Sequence, residues 1–421
     1  MTFATHSRLR HTIQAGAMTS TLAAVLVSGA AAAATCPAPN SNDIFTLTLC
    51  VDGEVRTAGT NSIADVIDII SNESLDARFP NYDEDTSPGE FRLDVRGLPA
   101  ILSYDQDSTK LVFNVPSLGI NETFDAGTRD ASNDEFEDYL KDNGDDILRE
   151  LLRVSPIDPL AGNPASLQSE MVAGAFAAGV DPTYDTLAQG SSFGIGARFG
   201  LYSAGDYNQD VFTLPLSYAY TFKNYDKLIV TLPITYIDVD GAAAYRGNLG
   251  VAYKKNIFRR WAVTPSIGYG ITGSSDLGSL GHIFSVAVTS DLMLIDKPKF
   301  QLSMGNMAGY YWTLPVRAGD YGVDYDLTNT ILRNGLLLSL PWQKRIWGRD
   351  FSLDIYVTDT RFFGDELYSD NYQEIGVTFG PMRSGDKLAP NTSSHPFGIG
   401  LKYVTGDGDI DGFELNFGYR F

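Results

Sequence analysis

Beyond residue 35 the chain has no run of eighteen or more apolar residues, so no later segment can cross a bilayer as a helix. Cysteine is nearly absent: Cys36 and Cys50 are the whole supply. In an exported chain this pair favours one disulfide closing a short loop over two free thiols, and a metal site from two cysteines without nearby histidine is a poorer reading. Histidine is scarcer still after the first residues, with only His282 and His395 remaining. Most hydrolytic sites set a histidine beside Ser, Asp or Glu, so catalysis has little to work with and the chain reads as a non-enzyme. His282 has Asp276, Ser279 and Ser285 near it in sequence, and His395 precedes Pro396 as a turn residue would. Cations are outnumbered, 31 Lys and Arg against 52 Asp and Glu, giving a formal charge of −21 that argues against nucleic acid as a partner. No pattern calls for a cofactor.

What is present begins with a leader. His6, Arg8, Arg10 and His11 make a basic start, residues 15–27 are largely apolar, and Ala30 to Ala34 offer an Ala-x-Ala cleavage site. Residues 1–34 therefore read as a secretory signal peptide of the Sec type. Thr35 is a poor neighbour for a lipidated Cys36, which disfavours a lipoprotein.

Residues 35–125 read as an acidic α+β unit. A strand is expected over 44–51. A helix capped by Asn61 or Ser62 should carry Ile63, Val66, Ile67 and Ile70 on one face, and strands should follow at 91–95, 101–104 and 111–115. Residues 126–189 read as a helical linker or plug. Ser132 and Glu135 have the spacing of a capping box, opening a helix with Phe136, Tyr139, Leu140, Ile147, Leu148, Leu151 and Leu152 on one stripe and Gly144 as its weak point. After a proline-rich connection, Asn163 as N-cap and Pro164 as first helical residue predict a second helix over 165–179, rich in Ala, Ser and Gly.

From 190 to 421 the texture is strands alone, about twelve of them, most near the nine to eleven residues that a tilted spanning strand needs. Phe212, Leu214, Leu216, Tyr218, Tyr220 and Phe222 alternate with Thr213, Pro215, Ser217, Ala219 and Thr221. At the C-terminus Phe413, Leu415, Phe417, Tyr419 and Phe421 alternate with polar or small residues. Aromatics gather near strand ends, as an interfacial girdle requires. Loops at 223–226, 256–259 and 296–297 read as tight, those at 271–281 and 313–326 as long. A soluble β-sandwich or β-solenoid would use shorter strands. The fold class is therefore mainly β: a transmembrane antiparallel barrel behind a small α+β region and a helix that could plug the lumen.

The alternation turns Arg198, Arg246, Asp291, Asp354, Glu374, Lys402, Glu414 and Arg420 inward, where they either line a solute path or pair to stiffen the wall. Most other inward positions are small, leaving room for one helix. The helix over 165–179 either fills that room or packs beneath the barrel. Asp407, Asp409 and Asp411 match the opening of a calcium loop, but the closing Glu position is Gly418 and the same residues suit a hairpin turn.

The leader, the alternating strands and the final Gly418-Tyr419-Arg420-Phe421 resemble Gram-negative outer-membrane proteins. Twelve strands behind a helix resemble the translocator barrels of autotransporters, with a far shorter and non-repetitive N-terminal region than that family's passengers. The resemblance implies residence in the outer membrane, outer-membrane lipid around the wall, and recognition of Tyr419 and Phe421 by the barrel-assembly machinery. It also implies a non-enzymatic translocator or anchor role. A porin-like solute channel and an outer-membrane hydrolase are the alternative functions.

Overall fold

A computed structural model describes residues 36–39, 43–180, 189–318, 321–342, 351–381 and 398–418. The leader (1–34), His395, Tyr419, Arg420 and Phe421 lie outside the described residues. Among the described residues no helix is long and apolar enough to cross a membrane.

The N-terminal module is a six-stranded antiparallel sheet with three helices. In chain order it comprises β1 (Phe45–Val51), β2 (Glu54–Thr60), α1 (Ile63–Ile70), α2 (Asn72–Arg78), β3 (Gly89–Val95), β4 (Leu98–Tyr104), β5 (Leu111–Val115), β6 (Ile120–Phe124) and α3 (Arg129–Val154). The sheet order is β2-β1-β3-β4-β5-β6. The sequence reading lacked β2, α2 and β6. Both missed strands are edge strands with largely exposed side chains, so they carry little apolar alternation. Cys36 and Cys50 form the disulfide, tying the module's start to β1. Ile67, expected on the buried face of α1, is 62% exposed, and Val66 is the residue that enters the core.

Helix α3 starts earlier than the Ser132–Glu135 spacing suggests. Thr128 is its N-cap, its side chain accepting from the Ala131 amide, and Ser132 sits inside the first turn. Tertiary bonds explain the difference: the Ser132 hydroxyl donates to the Thr109 carbonyl and accepts from the Ala126 amide. Gly144 causes no break across the 26 residues. The expected stripe covers Phe113 and Phe124 of the sheet through Phe136 and Tyr139, with ring centroids 4.9–6.3 Å apart. Burial of such rings stabilises by roughly 1.5–3 kcal/mol each. Arg129, not anticipated from sequence, donates to the carbonyls of Glu84, Ser87, Asp105 and Ser108 and so staples two loops.

The second region is a barrel. Its strands are β7 (Gly190–Ile195), β8 (Ala197–Ala204), β9 (Tyr207–Thr221), β10 (Lys227–Val239), β11 (Ala242–Phe258), β12 (Trp261–Ser274), β13 (Ser279–Lys297) and β14 (Phe300–Leu314). A small hairpin, β15 (Val316–Ala318) and β16 (Tyr321–Val323), precedes β17 (Thr328–Pro341), β18 (Phe351–Gly364), β19 (Asn371–Pro381), β20 (Gly398–Gly406) and β21 (Ile410–Gly418). Each main strand pairs antiparallel with the next, and β21 pairs with β8. The wall closes on twelve strands. β7 prolongs β8 in the same register along β9, with Ile195 opposite Leu216 and Arg198 opposite Thr213.

Closure leaves no open edge, which is what a backbone surrounded by hydrocarbon requires. The side chains agree. Phe212, Ile234, Leu249, Val288, Ile375 and Phe413 are exposed on the outside, while Thr213, Thr235, Asn248, Thr289 and Glu374 are buried inside. So wide an apolar exterior is far beyond what a water-facing surface carries. The ladder is irregular at Asn256–Phe258 of β11, at Met293–Ile295 of β13, and where Pro215 and Pro233 stand opposite each other on β9 and β10. Neither proline has an amide to donate. Pro215 still accepts from the Gly196 amide at 3.2 Å, and the β10–β11 pairing skips Leu232 and Pro233.

Strands are longer than the sequence suggested, up to 19 residues in β13, because they continue past the apolar band toward the module. The stretch 271–281, read as a long loop, is mostly strand with a turn at 275–278. The module sits on the barrel end that bears this turn. Asn61 Nδ2 donates to the Asp240 carbonyl at 2.7 Å, the Ile63 amide to the Asp276 carbonyl at 2.8 Å, and the Tyr368 amide to the Leu152 carbonyl at 2.9 Å. A single apolar core runs from Leu47 and Leu49 through Leu152, Ile157 and Leu160 to Ala242, Leu277 and Ile283 of the wall. Beneath it Arg96 donates to Asp158 at 3.1 Å, both fully buried. Burial pushes the Asp158 carboxyl above its ordinary value, against the pull of Arg96.

Replacing Asp158 with Ala strands the Arg96 guanidinium in this core. The expected loss is about 3–5 kcal/mol, as for other broken buried pairs. Limited proteolysis should show the module cut at lower protease concentration while the barrel keeps its heat-resistant gel mobility.

The plugged lumen

Helix α4 (Leu167–Val180) lies inside the barrel. Its start departs from the expected Asn163–Pro164 cap. Asn163 turns its Nδ2 to the Asp158 carbonyl at 2.8 Å, and Ser166 caps instead, its hydroxyl accepting from the Ser169 amide at 3.3 Å. The alternative position beneath the barrel is excluded by its neighbours: α4 packs on β11, β12 and β13 and reaches β14 and β17. It enters at the module end, where Gln168 Nε2 donates to Asn329 Oδ1 at 3.0 Å, and spans about 21 Å toward the other end.

Small residues on both partners make the fit possible. A Cβ on Gly270 would lie 2.7 Å from the Met171 sulfur and 2.8 Å from Leu167 Cδ1. One on Gly305 would lie 2.8 Å from the Phe176 ring. The helix leans on one side of the lumen. On the other side a cavity of about 130 Å³ remains, between Ala173 and Ala177 of the helix and Ser217, Thr231, Thr358 and Thr378 of the wall.

Charge locks the helix across that gap. Glu170, buried on α4, accepts from Arg198 of β8 and from Arg246 of β11, the latter at 3.2 Å. A second cluster lies beside it. Arg333 and Lys402 both donate to Glu374, Lys402 at 2.9 Å, and Lys402 also reaches Glu414 at 3.2 Å. Tyr202 donates to Glu414 at 3.0 Å, Thr358 to Glu374 at 2.7 Å, and the Arg333 guanidinium lies 5.1 Å from the Phe176 ring centroid. Lower in the wall Lys254 pairs with Asp291 at 3.4 Å, and Asp354 accepts from Ser352 at 2.8 Å.

The expected inward residues Arg198, Arg246, Glu374, Lys402 and Glu414 thus meet in one network, while Asp291 and Asp354 lie apart from it. Sequence reading missed Glu170, Arg333 and Lys254. Glu170 had a signal, as the single charged residue of α4. Arg333 had one too, as it falls on the inward parity of β17.

The other candidates lie elsewhere. Asp407 accepts from Asn371, Asp409 takes a left-handed turn conformation with φ 54°, and Asp411 is the second residue of β21, on its exposed face. Asp407 and Asp409 thus lie in the β20–β21 hairpin turn and Asp411 just beyond it. Among the described residues no group of three metal-ligating side chains gathers. His282 Nδ1 is 2.6 Å from the Tyr269 hydroxyl, so its ring takes part in the aromatic rim.

No protein-family model and no curated protein matches the sequence. Among solved structures the chain is similar to the beta domain of the Bordetella autotransporter BrkA, with 14% identity, 55% of this chain and 100% of that one covered, and a TM-score of 0.43. It is also similar to the translocator domain of autotransporter NalP from Neisseria meningitidis, with 12% identity over 60% of this chain and 96% of that one and a TM-score of 0.43. The NanC porin gives 12% identity over 54% and 100% and a TM-score of 0.34. These are low values, and the barrel is established by the closed ladder described above.

Glu170→Ala leaves two buried guanidiniums without their shared carboxylate, an uncompensated burial worth about 3–5 kcal/mol. The variant should lose its closed state in planar bilayers, showing channel openings that the parent protein lacks. Glu170→Gln, which keeps one acceptor oxygen, should open less often.

Proposed function

We propose that the chain is an outer-membrane barrel of autotransporter-like type, a non-enzymatic anchor that holds its own N-terminal module at one face of the membrane. One observation carries this reading. The module caps the barrel end opposite the one where the wall starts and finishes, and the only covalent route between them runs down the lumen as α4. Gly190 of β7 and Gly418 of β21 both lie at the far end, since Gly190 pairs with Thr221 and Gly418 with Gly398. A chain that threads its own barrel places its two ends on opposite sides of the bilayer. An exported chain inserts from the periplasm, and leaving the wall's two ends there sends the hairpins of the other rim across, together with the module that α4 trails through the lumen. The module then lies outside.

The apolar exterior supports hydrocarbon as the surround, and the flanking aromatics support the interfaces. Trp312 lies against Phe284 and Tyr310 near the module, and Phe258 stacks on Trp261 at the far end. A passive channel is the second reading, favoured by the cavity beside α4. The helix and its ion pairs argue that any such path is shut in this conformation. For a hydrolase, His282 is committed to Tyr269 on the rim, and no described geometry favours it.

Two measurements test the proposal. Protease added to intact cells should cleave the module, and a cysteine placed at the exposed Asn121 should react with an impermeant maleimide. Protection of both until the outer membrane is broken would put the module in the periplasm and overturn the reading. Conductance separates the second reading: deletion of residues 36–180 should convert a silent barrel into an open pore.

A further inference from the structure

We propose that the turns at the barrel end remote from the module form a basic collar that binds the headgroups of anionic phospholipids in the adjoining leaflet. The inference rests on the bilayer-spanning reading above. Three successive turns at this end join β9 to β10, β11 to β12 and β13 to β14. Together with the strand ends beside them they expose Lys223, Lys255, Arg259, Arg260, Lys297 and Lys299. With neighbouring strands about 4.8 Å apart, successive turns stand about 10 Å apart, little more than the Debye length of about 8 Å at physiological salt.

The described acids at these turns are engaged mainly by neutral donors. Asp226 is buried and occupied by the Tyr253 hydroxyl at 2.9 Å, the Asn256 amide at 3.1 Å and Asn224 Nδ2 at 2.7 Å. Asp296 accepts from Gln301 at 3.1 Å, and Arg260 approaches it only to 3.9 Å. Aromatic rings lie at the same turns, where a membrane interface would place them. Phe222, Tyr225 and Phe258 are exposed, Trp261 follows Arg260, and the Lys297 ammonium lies 5.7 Å from the Phe300 centroid.

The opposite rim is the contrast. Its connections at 205–206, 240–241, 275–278, 315–327, 365–370 and 407–409 contain one cation, Arg317, against Asp206, Asp240, Asp276, Asp324, Asp326, Asp365, Asp370 and Asp409. In a chain of charge −21 the cations should be diluted everywhere by acids. Their concentration at these three turns, beside interfacial aromatics, fits a leaflet of negative charge, to which each Lys or Arg contributes about 1 kcal/mol of attraction.

The test is made on the full chain in vesicles of phosphatidylcholine, with trace spin-labelled phosphatidylglycerol or spin-labelled phosphatidylcholine. The motionally restricted fraction of each is read by electron paramagnetic resonance. The expected result is a preference of about fivefold or more for phosphatidylglycerol at low salt, falling toward parity at 1 M salt. The combined variant K223Q, K255Q, R259Q, R260Q, K297Q and K299Q should lose it. Should that variant fail to fold, K297Q with K299Q alone, together with the salt series on the parent protein, carries the test.

Equal restriction of the two lipids by the parent protein, or a preference that survives the substitutions, overturns the collar. So does a parent protein that competes for lipopolysaccharide but shows no phosphatidylglycerol preference. Vesicle flotation and heat-dependent gel mobility report insertion separately. A barrel that inserts without lipid preference ends this inference and leaves the anchor reading standing.

Discussion

The pairing of β21 with β8 is the constraint on which the molecule depends. A twelve-stranded sheet with a free edge would offer a row of amides and carbonyls to hydrocarbon, at several kcal/mol for each group left unpaired. Closing the ladder removes that cost and fixes much else. The interior becomes a tube of limited bore, alternation decides which residues enter it, and any chain segment inside must be narrow and must bring its own hydrogen bonds. A helix meets the last condition, and the Ala, Ser and Gly content of α4 meets the one before it.

The lumen shows how an expensive arrangement becomes specific. Arg198, Arg246, Arg333 and Lys402 are all buried or nearly so, and three glutamates gather them. Replacing such a network by well-packed aliphatic residues of similar volume is often neutral or stabilising. What the ions add is register. Glu170 can satisfy two guanidiniums from β8 and β11 only at one rotation and one depth of the helix, so the plug has a defined seat in an otherwise smooth tube. The Phe176 ring beneath Arg333 marks the same position from the other side.

The barrel was largely legible in the sequence because its signal is local. Alternation such as Phe212 to Phe222 needs only the neighbouring residues, and lipid enforces it on every strand. The N-terminal sheet was less legible. Strands β2 and β6 are edges with mostly exposed side chains, so nothing obliges them to alternate. The caps of α3 and α4 went astray for a related reason. Ser132 and Asn163 are good caps by type, but their side chains are engaged by Thr109 and Asp158, contacts that no local pattern reveals. The inward charges were found by parity, yet which of them meet could not be read, because Glu170 lies outside the strands altogether.

Most turns at the covered rim are short, the exception being 315–327 with its β15–β16 hairpin. Two residues join β8 to β9, and two join β10 to β11. Those turns are too small to build a surface of their own, so the roof is made almost wholly by one continuous stretch of chain, 43–163. Whatever approaches from that direction meets this segment before it meets the wall. Change in what the molecule displays can therefore be confined to a single block, provided that the backbone contacts at Asp240, Asp276 and Tyr368 are kept.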